Sequence, residues 1–558
     1  MEKNVTPNKE IQKPSFFKTF IYVFSLFLIF NMLFGKKKEE LPTINPLTLT
    51  KKLELKRNLI PFETDSLKGN FNSVGLRIDD VFLKNYKVSL AKDSKNVELL
   101  KYIKDEDKSD EKSSYAEFGL LGANDNQNLF PTNMTNWKIV SKTNDSITLS
   151  WTNSENVKFL RRLSFDDKYM LTVHDKVVNN SNIDVEFFPY ARIVKSENMN
   201  APISSSHTGF VGYLNNTLEE YKYAKIDSMK SKEFNSKNGW LGFGSDYFMT
   251  VLVPNQNDKN FTARVLELDT PTIPSTDKKS LYKQFQTDYV KDLVSVAPTK
   301  DVEIISRIYL GAKEASVISK YEEKYSIPKF DLVIDYGYFY ILSKPFTQIL
   351  KWFYDFTGNF GVAIILFTIL IRALLFPIAQ KSFKSMEKMK KMQPEMKRIQ
   401  AMYANNKPMM NMQLAMLYKK SGINPLSGCL PMLIQIPVFF ALYKSLIISI
   451  EMRQAPFIWW IKDLSQPDPT SIFNLFGLLP FTPYSWLPQL GVLPLLMGLT
   501  MYIQQKLQPM VSTDETQAKI MKYLPFIFIL MFAGLPSGLL LYWTVNNILS
   551  ILQQKYIK

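Results

Sequence analysis

The sequence GNFGVAIILFTILIRALLFPI, residues 358–378, is an almost unbroken apolar run with one charged residue, Arg372. At ~1.5 Å per residue, a helix of this length crosses the ~30 Å hydrocarbon layer of a bilayer, so the run predicts a transmembrane helix. Four further apolar tracts follow at about residues 426–449, 487–505, 520–535 and 537–552. The last two are separated only by the break at Pro536, which predicts a tight helical hairpin. Residues 357–558 are therefore expected to form a block of five transmembrane helices.

A sixth apolar run lies near the N-terminus, at residues 16–35, and carries a single charge, Lys18. It is long enough to span a bilayer and lacks the small-residue exit of a cleavage site. These features favour a retained anchor over the alternative, a cleaved signal peptide. With this anchor, preceded by a cytoplasmic segment at residues 1–15, the predicted fold class is a polytopic α-helical membrane protein with six transmembrane helices.

Between the anchor and the helical block, residues 36–334 have a different pattern. Short stretches such as 74–78 (VGLRI) and 157–163 (VKFLRRL) alternate between apolar and polar residues, and clusters of Asn, Asp, Ser and Lys separate them. This period of two is typical of antiparallel strands with one buried face. The segment is therefore predicted to form a large antiparallel β-sandwich with flanking linkers.

The composition argues against an enzyme and against a metalloprotein. Cys429 is the only cysteine, and the two histidines, His174 and His207, have no partners at metal-ligand spacing. The chain also lacks the G-x-x-x-x-G-K-[ST], G-x-S-x-G and H-E-x-x-H motifs of phosphate, acyl and metallopeptidase chemistry. We therefore expect no catalytic residues, no metal and no cofactor.

Residues 335–356 (DYGYFYILSKPFTQILKWFYDF) connect the predicted sandwich to the helical block. They are rich in aromatic residues, and Lys344 and Lys351 supply a polar side. This composition predicts an amphipathic helix lying in the headgroup layer, with a buried helix as the alternative.

The distribution of charge predicts the orientation in the membrane. The formal net charge of the chain is +16, and the loop at residues 379–424 is strongly basic, with ten Lys or Arg and two acidic residues. The loop at residues 450–486 has two basic and three acidic residues. Because short cytoplasmic loops carry an excess of positive charge, the first loop is predicted to be cytoplasmic. Both termini are then cytoplasmic and the sandwich lies on the outer side.

Arg372 is the most informative single residue. A charge at membrane depth costs about 2.5–3.5 kcal/mol on insertion scales, and none of the six predicted spans contains an Asp or Glu to neutralise it. The spans offer only neutral polar side chains, namely Thr368, Gln435, Gln504, Thr544, Asn546 and Asn547. A cation with such neighbours implies water, so we expect a hydrated recess among the helices. The alternative is an arginine that snorkels to the surface and has only a structural role.

The basic cytoplasmic loop is also rich in methionine. Nine of the 23 methionines lie in residues 379–424, and Met386, Met389, Met392 and Met396 recur at spacings of three, three and four. Flexible, polarizable side chains suit a surface that accepts many different apolar segments. The alternative, left open, is that they pack the two helices of a hairpin together. The lysines around them are expected to meet anionic lipid or ribosomal RNA through charge alone, without specific recognition of nucleic acid.

Four motifs in the C-terminal half resemble the bacterial YidC family of membrane protein insertases. They are FTILIRALLFP (367–377), INPLSGCLPMLIQIPVFFALY (423–443), EMRQAPF (451–457) and LPSGLLLYW (535–543). The segment before them resembles the periplasmic domain of that family, a super-sandwich akin to sugar-epimerase folds, in position, size and strand pattern.

The resemblance implies a function and a site. It implies an insertase of the bacterial inner membrane that receives nascent membrane proteins in a groove and releases their apolar helices into lipid, alone or with the Sec translocon. Arg372 would be the groove arginine, with Thr368, Gln435 and Asn547 lining the same cavity. The surface along which a client slides would be formed by Ile436, Phe439, Tyr542 and Trp543.

The resemblance also implies partners on the cytoplasmic side. The loop at residues 379–424 would be the mobile client-receiving hairpin, and its basic residues would meet the ribosome and the targeting machinery. The C-terminal tail at residues 553–558 is short, so docking of ribosomes by the tail is not expected. Two other classes remain as alternatives: an anion channel or transporter, and a membrane-anchored periplasmic carbohydrate-binding protein.

Overall fold

The structure is a computed structural model that describes residues 58–102, 113–123, 126–200, 207–258, 260–268, 282–422, 430–479, 481, 490–507 and 515–557. The predicted cytoplasmic segment 1–15 and the predicted anchor 16–35 lie outside the described residues. The described chain begins with a β-sandwich and continues into a helical region.

Two antiparallel sheets form the sandwich in the part of the chain that is described. The first sheet contains β1 (Leu59–Glu63), β2 (Leu67–Asn72), β3 (Ile78–Lys87), β4 (Asn96–Leu100), β5 (Tyr115–Gly122), β10 (Val185–Asn198), β13 (Ser231–Ser236), β16 (Phe261–Glu267), β17 (Tyr282–Lys291) and β18 (Val294–Val296). The second contains β6 (Lys138–Lys142), β7 (Ser146–Thr152), β8 (Val157–Phe165), β9 (Met170–Asn179), β11 (Gly209–Leu214), β12 (Thr217–Lys222), β14 (Gly239–Gly244), β15 (Phe248–Pro254) and β19 (Asp301–Ala312).

Strand order shows that distant parts of the chain pair with one another. The first sheet runs β1-β2-β3-β5-β10-β17-β16-β13, with β4 beside β3 and β18 beside β10. The second runs β12-β11-β14-β15-β19-β9-β8-β7-β6. The last strand, β19, therefore lies in the middle of its sheet, between β15 and β9.

The period of two in the sequence corresponds to one buried face per strand. In β8, Val157, Phe159 and Leu163 are buried, and more exposed residues alternate with them. In β15 every residue after Phe248 is buried, as expected of a strand covered on both faces. The largest fully buried side chain is that of Trp240, whose Nε1 donates to Pro328 O at 3.0 Å. The predicted antiparallel β-sandwich is confirmed.

One buried ion pair ties β8 to β9. The Nε and Nη2 of Arg161 donate to the two carboxylate oxygens of Asp175 at 2.6 and 3.0 Å. The third nitrogen, Nη1, donates to Phe118 O in the opposite sheet at 2.6 Å. Both side chains are at least nine-tenths buried. The pair therefore joins two neighbouring strands and also links the two sheets.

Ten helices are described. Two belong to the sandwich, α1 (Tyr223–Met229) and α2 (Ala315–Lys324). The others are α3 (Tyr340–Thr357), α4 (Phe360–Leu374), α5 (Phe376–Met402), α6 (Lys407–Lys420), α7 (Leu430–Ile448), α8 (Val492–Leu507), α9 (Glu515–Phe532) and α10 (Ser537–Ile557). α3 packs on α4 and α7, while α10 packs on α8 and α4.

The apolar tracts of the sequence correspond to α4, α7, α8, α9 and α10, with different ends. The tract at residues 358–378 becomes α4 followed by a 64° bend into α5. Pro377 lies in the first turn of α5, where a proline does not disrupt the hydrogen bonds of the helix. α4 therefore ends at Leu374, inside the predicted tract, and the last residues of the tract begin α5, the long helix of the basic loop.

By length and hydropathy, no single helix among the described residues qualifies as a membrane span. Taken together, the bent pair α4 and α5 is long and apolar enough for a span. Two other apolar helical segments, Leu433–Ile448 and Lys522–Phe532, are shorter than a span requires. The number of six transmembrane helices therefore stays a prediction.

Loss of the buried carboxylate should destabilise the sandwich strongly. Asp175→Asn leaves Arg161 buried without a counter-ion, which typically costs about 3–5 kcal/mol. We expect a clear fall in the unfolding midpoint of the purified protein, measured by circular dichroism in the strand region.

A matched control lies in the same sheet. Glu303 on β19 pairs with Lys176 on β9 at 3.3 Å, but both side chains are well exposed. Glu303→Gln is expected to change the midpoint little. Equal shifts in the two variants would contradict the role assigned to the buried pair.

Candidate functional site

The segment between α7 and α8 holds three helix starts together. We call residues 450–472 the outer clamp, after the outer side on which the charge distribution predicts this loop. Its contacts reach the beginnings of α4, α8 and α10. They are Asn359 Nδ2 to Phe457 O at 3.1 Å, Leu493 N to Asp468 Oδ2 at 2.7 Å, Val492 N to Thr470 Oγ1 at 3.0 Å, Ser537 N to Gln466 O at 2.8 Å and Gly538 N to Leu464 O at 2.9 Å. The first backbone N–H groups of a helix have no partner within it, and four of these contacts satisfy such groups at the starts of α8 and α10. The fifth attaches the start of α4 through the side chain of Asn359.

The clamp determines the relative direction of the helices. Because α4, α8 and α10 all start at it, these three helices run the same way, and α7, which ends at the clamp, runs the opposite way. Arg372 lies twelve residues beyond the start of α4, or about 18 Å along the axis. Asn546 lies nine residues beyond the start of α10, or about 14 Å. The two residues are therefore at a similar depth.

Arg372 contacts Asn546. Its Nε donates to the Asn546 Oδ1 at 2.7 Å, and its Nη2 donates to the Asn546 backbone oxygen at 3.2 Å. The arginine is half-buried and Asn546 is buried. Within the described residues, no Asp or Glu oxygen lies within 4.0 Å of the guanidinium. A neutral amide thus orients the cation and leaves its charge uncompensated.

The other expected groove residues bind elsewhere. Thr368 is fully buried, and its hydroxyl donates to Ile364 O at 2.6 Å within α4. Asn547 is also buried and donates to Thr500 Oγ1 on α8 at 3.2 Å. Gln435 Nε2 donates to the hydroxyl of Tyr542. None of these three hydrogen bonds involves Arg372, so among the described residues only Asn546 is hydrogen-bonded to the arginine.

The residues of the expected sliding surface differ in exposure. Ile436 is 40% exposed, while Phe439 and Trp543 are half-buried with their ring centroids 4.9 Å apart. Trp543 also packs on Phe532 of α9, at 5.0 Å. Tyr542 is only 1% exposed, because its side chain points into the helical core and its hydroxyl meets Gln435. Tyr542 is thus not on the surface in this structure.

The basic loop forms a helical hairpin, and some of its methionines pack inside it. Met396 of α5 is buried against Leu414 and Leu417 of α6. Met389 is buried as well, whereas Met386 and Met392 are half-buried. The methionines with the largest exposure are others, namely Met402, Met412 and Met416. Burial of Met396 between the two helices favours hairpin packing for that residue, and the role of the four methionines in contacting clients stays a prediction.

Ionic contacts connect the sandwich to the helical region. Lys444 of α7 pairs with Asp335 at 2.5 Å, and Lys344 of α3 pairs with Asp331 at 2.6 Å. Burial opposes ionisation of Asp335, but the hydrogen bond and charge of Lys444 outweigh it, so the pKa of Asp335 lies below its ordinary value. On the clamp, Arg453 Nη2 donates to the Lys87 backbone oxygen of β3 at 2.6 Å. These contacts fix how α3 and the clamp meet the sandwich.

The histidines do not form a metal site in the described residues. His174 lies 3.2 Å from Glu303 at the surface, and His207 Nε2 contacts Phe210 O at 2.8 Å. The described parts of the chain contain no group of three or more His, Cys, Asp or Glu side chains that could hold a metal ion.

A β-sandwich followed by a bundle of apolar helices is the architecture of a membrane protein with a large domain outside the bilayer. Family models cover both halves. The model "YidC periplasmic domain" matches residues 59–349, and the model "60Kd inner membrane protein" matches residues 352–558.

Curated relatives agree with these models. The chain is 41% identical over 503 residues to "Membrane protein insertase YidC" of Rickettsia rickettsii (strain Iowa), with 89% of this chain and 87% of the relative covered. It is 40% identical over 528 residues to the protein of the same name from Rickettsia africae (strain ESF-5), covering 94% and 91%. The chain belongs to the YidC family of membrane protein insertases.

A solved structure, "Active YidC insertase crystal structure with the first transmembrane domain resolved", matches 95% of this chain and 97% of its own. The sequence identity is 18% and the TM-score 0.36. The family assignment rests on the family models and on the identity to the curated relatives.

Removal of the buried carboxylate of the clamp should destabilise the helical region. Asp468 is 1% exposed and accepts from Leu493 N at the start of α8, so Asp468→Ala leaves that N–H without its partner. Loss of a helix cap costs about 1–2 kcal/mol. We expect a lower thermal midpoint of the purified protein in detergent.

Asp468→Asn retains an oxygen acceptor and is the matched control. It should lose less stability than the alanine variant. Equal losses, or none in either variant, would show that the clamp does not hold α8.

Proposed function

We propose that the chain takes nascent membrane proteins from the cytoplasm into a hydrated groove around Arg372 and releases their apolar helices into the bilayer, alone or with the Sec translocon. The observation that carries this proposal is the bonding of Arg372 to Asn546. A half-buried cation that has only a neutral partner among the described residues retains its attraction for acids and must be stabilised by water or by a visiting carboxylate.

The proposed topology has six transmembrane helices, both termini in the cytoplasm and the sandwich in the periplasm. The shared starts of α4, α8 and α10 at the outer clamp support it, because helices that cross a membrane in alternation begin on one side when they run the same way. The basic hairpin lies on the other side, as the positive-inside rule requires.

α3 is proposed to lie in the headgroup layer of the outer side. It has two different faces. Phe346 and Leu350 are buried against the bundle, while Ile341, Trp352 and Phe356 are 65–85% exposed. Aromatic residues on an exposed apolar face favour the boundary between lipid and water.

Electrostatic attraction is the proposed first step. The guanidinium donates only through Nε and Nη2, and within the described residues Nη1 has no acceptor. A client carboxylate at 4 Å would gain about 4 kcal/mol at an effective dielectric of 20, which is more than a neutral amide offers. Acidic residues in the outgoing polar segment are therefore drawn toward Arg372.

Burial of apolar surface is the proposed driving force for release. Ile436 and the edge formed by Phe439 and Trp543 offer an apolar path beside the recess. A client helix that slides along it into lipid gains ~25 cal/mol for each Å² of apolar surface removed from water. This gain needs no nucleotide. Tyr542 supports the path from inside by holding Gln435.

The cytoplasmic hairpin is proposed to receive clients. The adaptable surface is provided by the exposed Met402, Met412 and Met416 together with the half-buried Met386 and Met392, and Met396 packs the two helices of the hairpin together. The lysines around them are proposed to meet anionic lipid, the ribosome and the targeting machinery through charge.

Removal of the charge should impair insertion of clients that carry acids. Arg372→Ala is expected to lower insertion of a single-span client with acidic residues in its translocated segment about tenfold or more, because the attraction toward the groove is lost. The measurement is protease protection of the translocated segment in vesicles that contain the purified protein.

Arg372→Lys is the matched variant because it keeps the charge but lacks the planar fork that Asn546 binds. It should retain part of the activity. A client whose acids are changed to Gln or Asn should be much less sensitive to both variants. Normal insertion of the acidic client by the alanine variant would exclude the electrostatic step.

Cross-linking should separate exposed from buried positions. A photoreactive residue at position 436 or 416 is expected to capture a stalled nascent membrane protein, because both side chains are exposed. The same residue at position 396, where Met396 is buried in the hairpin, is the control and should capture little. Equal capture from 396 and 416 would contradict the division of the methionines proposed above.

A further inference from the structure

The chain has an unusually long uncharged stretch after the outer clamp. Residues 469–505 contain no Asp, Glu, Lys or Arg. The helix in this stretch, α8, is described over 16 residues, which corresponds to about 24 Å. Residues 472–479 and 481, which are mostly apolar, precede it and are not part of an α-helix.

We call residues 473–479 and 481 the apolar tip. Its large side chains point away from the protein, with exposure from 37% at Phe473 to 83% at Leu478. The exposed residues are Phe473, Leu475, Phe476, Leu478, Leu479 and Phe481. A contiguous apolar surface of this kind marks contact with a partner or with a membrane.

The backbone of the tip and of the adjoining Ile472 is satisfied mainly by local contacts. Seven N–H groups donate to oxygens of residues 471–490. The donors are Ile472, Phe473, Phe476, Gly477, Leu478, Leu479 and Phe481. The polar side chain of Asn474 also bonds inward, accepting from Gly477 N at 3.1 Å and donating to Phe481 O at 3.2 Å. Irregular backbone is not tolerated within the hydrocarbon layer, so this local pairing suits a position at the boundary between headgroups and acyl chains, where only the side chains reach the lipid.

The tip adopts a backbone conformation that bulky residues rarely adopt. Leu475 and Phe476 have φ of 49° and 59°, in the left-handed region. Large apolar residues with positive φ are genuine outliers and are maintained only where the surrounding contacts impose them. Here the contacts of Asn474 impose the turn, and the turn directs both side chains outward.

We propose that the side chains of the apolar tip enter the boundary between the lipid headgroups and the acyl chains. The occupant of this surface is lipid because the tip presents no charge, its one polar side chain is bonded inward, and the apolar tract at residues 487–505, predicted to span the membrane, follows it in the sequence. On the proposed topology this is the outer leaflet. The inference goes beyond insertion itself and does not depend on the groove.

Fluorescence can test the proposal on the full-length protein in vesicles. The lone cysteine is first changed, Cys429→Ser, and a single cysteine is then introduced as Leu478→Cys and labelled with an environment-sensitive nitrobenzoxadiazole dye. Leu478 is largely exposed, so the change should not affect folding. Gln466→Cys, on the exposed part of the clamp, is the matched control.

Lipids with a nitroxide on the acyl chain serve as quenchers. The label at 478 is expected to emit at shorter wavelength than the label at 466 and to lose at least twice as much intensity to the nitroxide. Water-like emission at 478, or equal quenching at the two positions, overturns the proposal. Blue-shifted emission at 478 without quenching also overturns it, because a protein partner would then cover the tip. Since quenching reports lipid contact on either side, failure here leaves the proposed topology intact.

Discussion

The hydrogen bonds between Arg372 and Asn546 are the interaction on which the site depends. They hold a permanent cation at a defined depth between α4 and α10, 2.7 Å from an oxygen that carries no formal charge. The contact gives two N–H groups of the guanidinium an acceptor but does not neutralise its positive charge. The proposed mechanism uses this combination, because a groove with a neutralised arginine would not favour acidic segments over other polar ones.

A cation can keep this position only if the helices around it have a fixed arrangement, and the outer clamp supplies that arrangement. Side chains and backbone carbonyls of residues 450–472 accept from the first turns of α8 and α10. Gly361, near the start of α4, lies so close to the ring of Phe457 that a Cβ there would be 2.1 Å from it. Polar contacts and close packing thus hold three helix starts at one end of the bundle, and Arg372 and Asn546 lie at matching depths below it.

Much of this could be predicted from the sequence, because the signals were periodic or compositional. Alternation predicted the sandwich, apolar tracts predicted the helices, and the lack of acids in the tracts predicted an arginine without a carboxylate partner. The side-chain contacts could not be predicted in the same way. Adjacent helical residues point about 100° apart, and α10 is apolar almost all round, so nothing distinguished Asn546, which binds Arg372, from Asn547, which binds α8. The spacing of the methionines is equally compatible with a surface and with a hairpin core, and Met396 belongs to the core.

Two requirements on Arg372 explain why position 546 holds an amide rather than an acid. The guanidinium needs a hydrogen-bond acceptor, and its positive charge must not be cancelled. A carboxylate would bind the guanidinium more strongly and in two-pronged fashion, but it would cancel the charge and occupy the nitrogens that a client needs. An apolar residue would leave Nε of the half-buried cation without an acceptor and only the backbone oxygen for Nη2, at a cost that the helix packing would have to offset. Asparagine meets both requirements, since its side-chain and backbone oxygens each accept one N–H. The backbone oxygen of Asn546 also accepts from Ser550 at 2.9 Å, so this part of α10 is held in place whether or not the arginine is engaged. In the proposed mechanism, a client acid therefore competes for Arg372 without disturbing the helix that presents its partner.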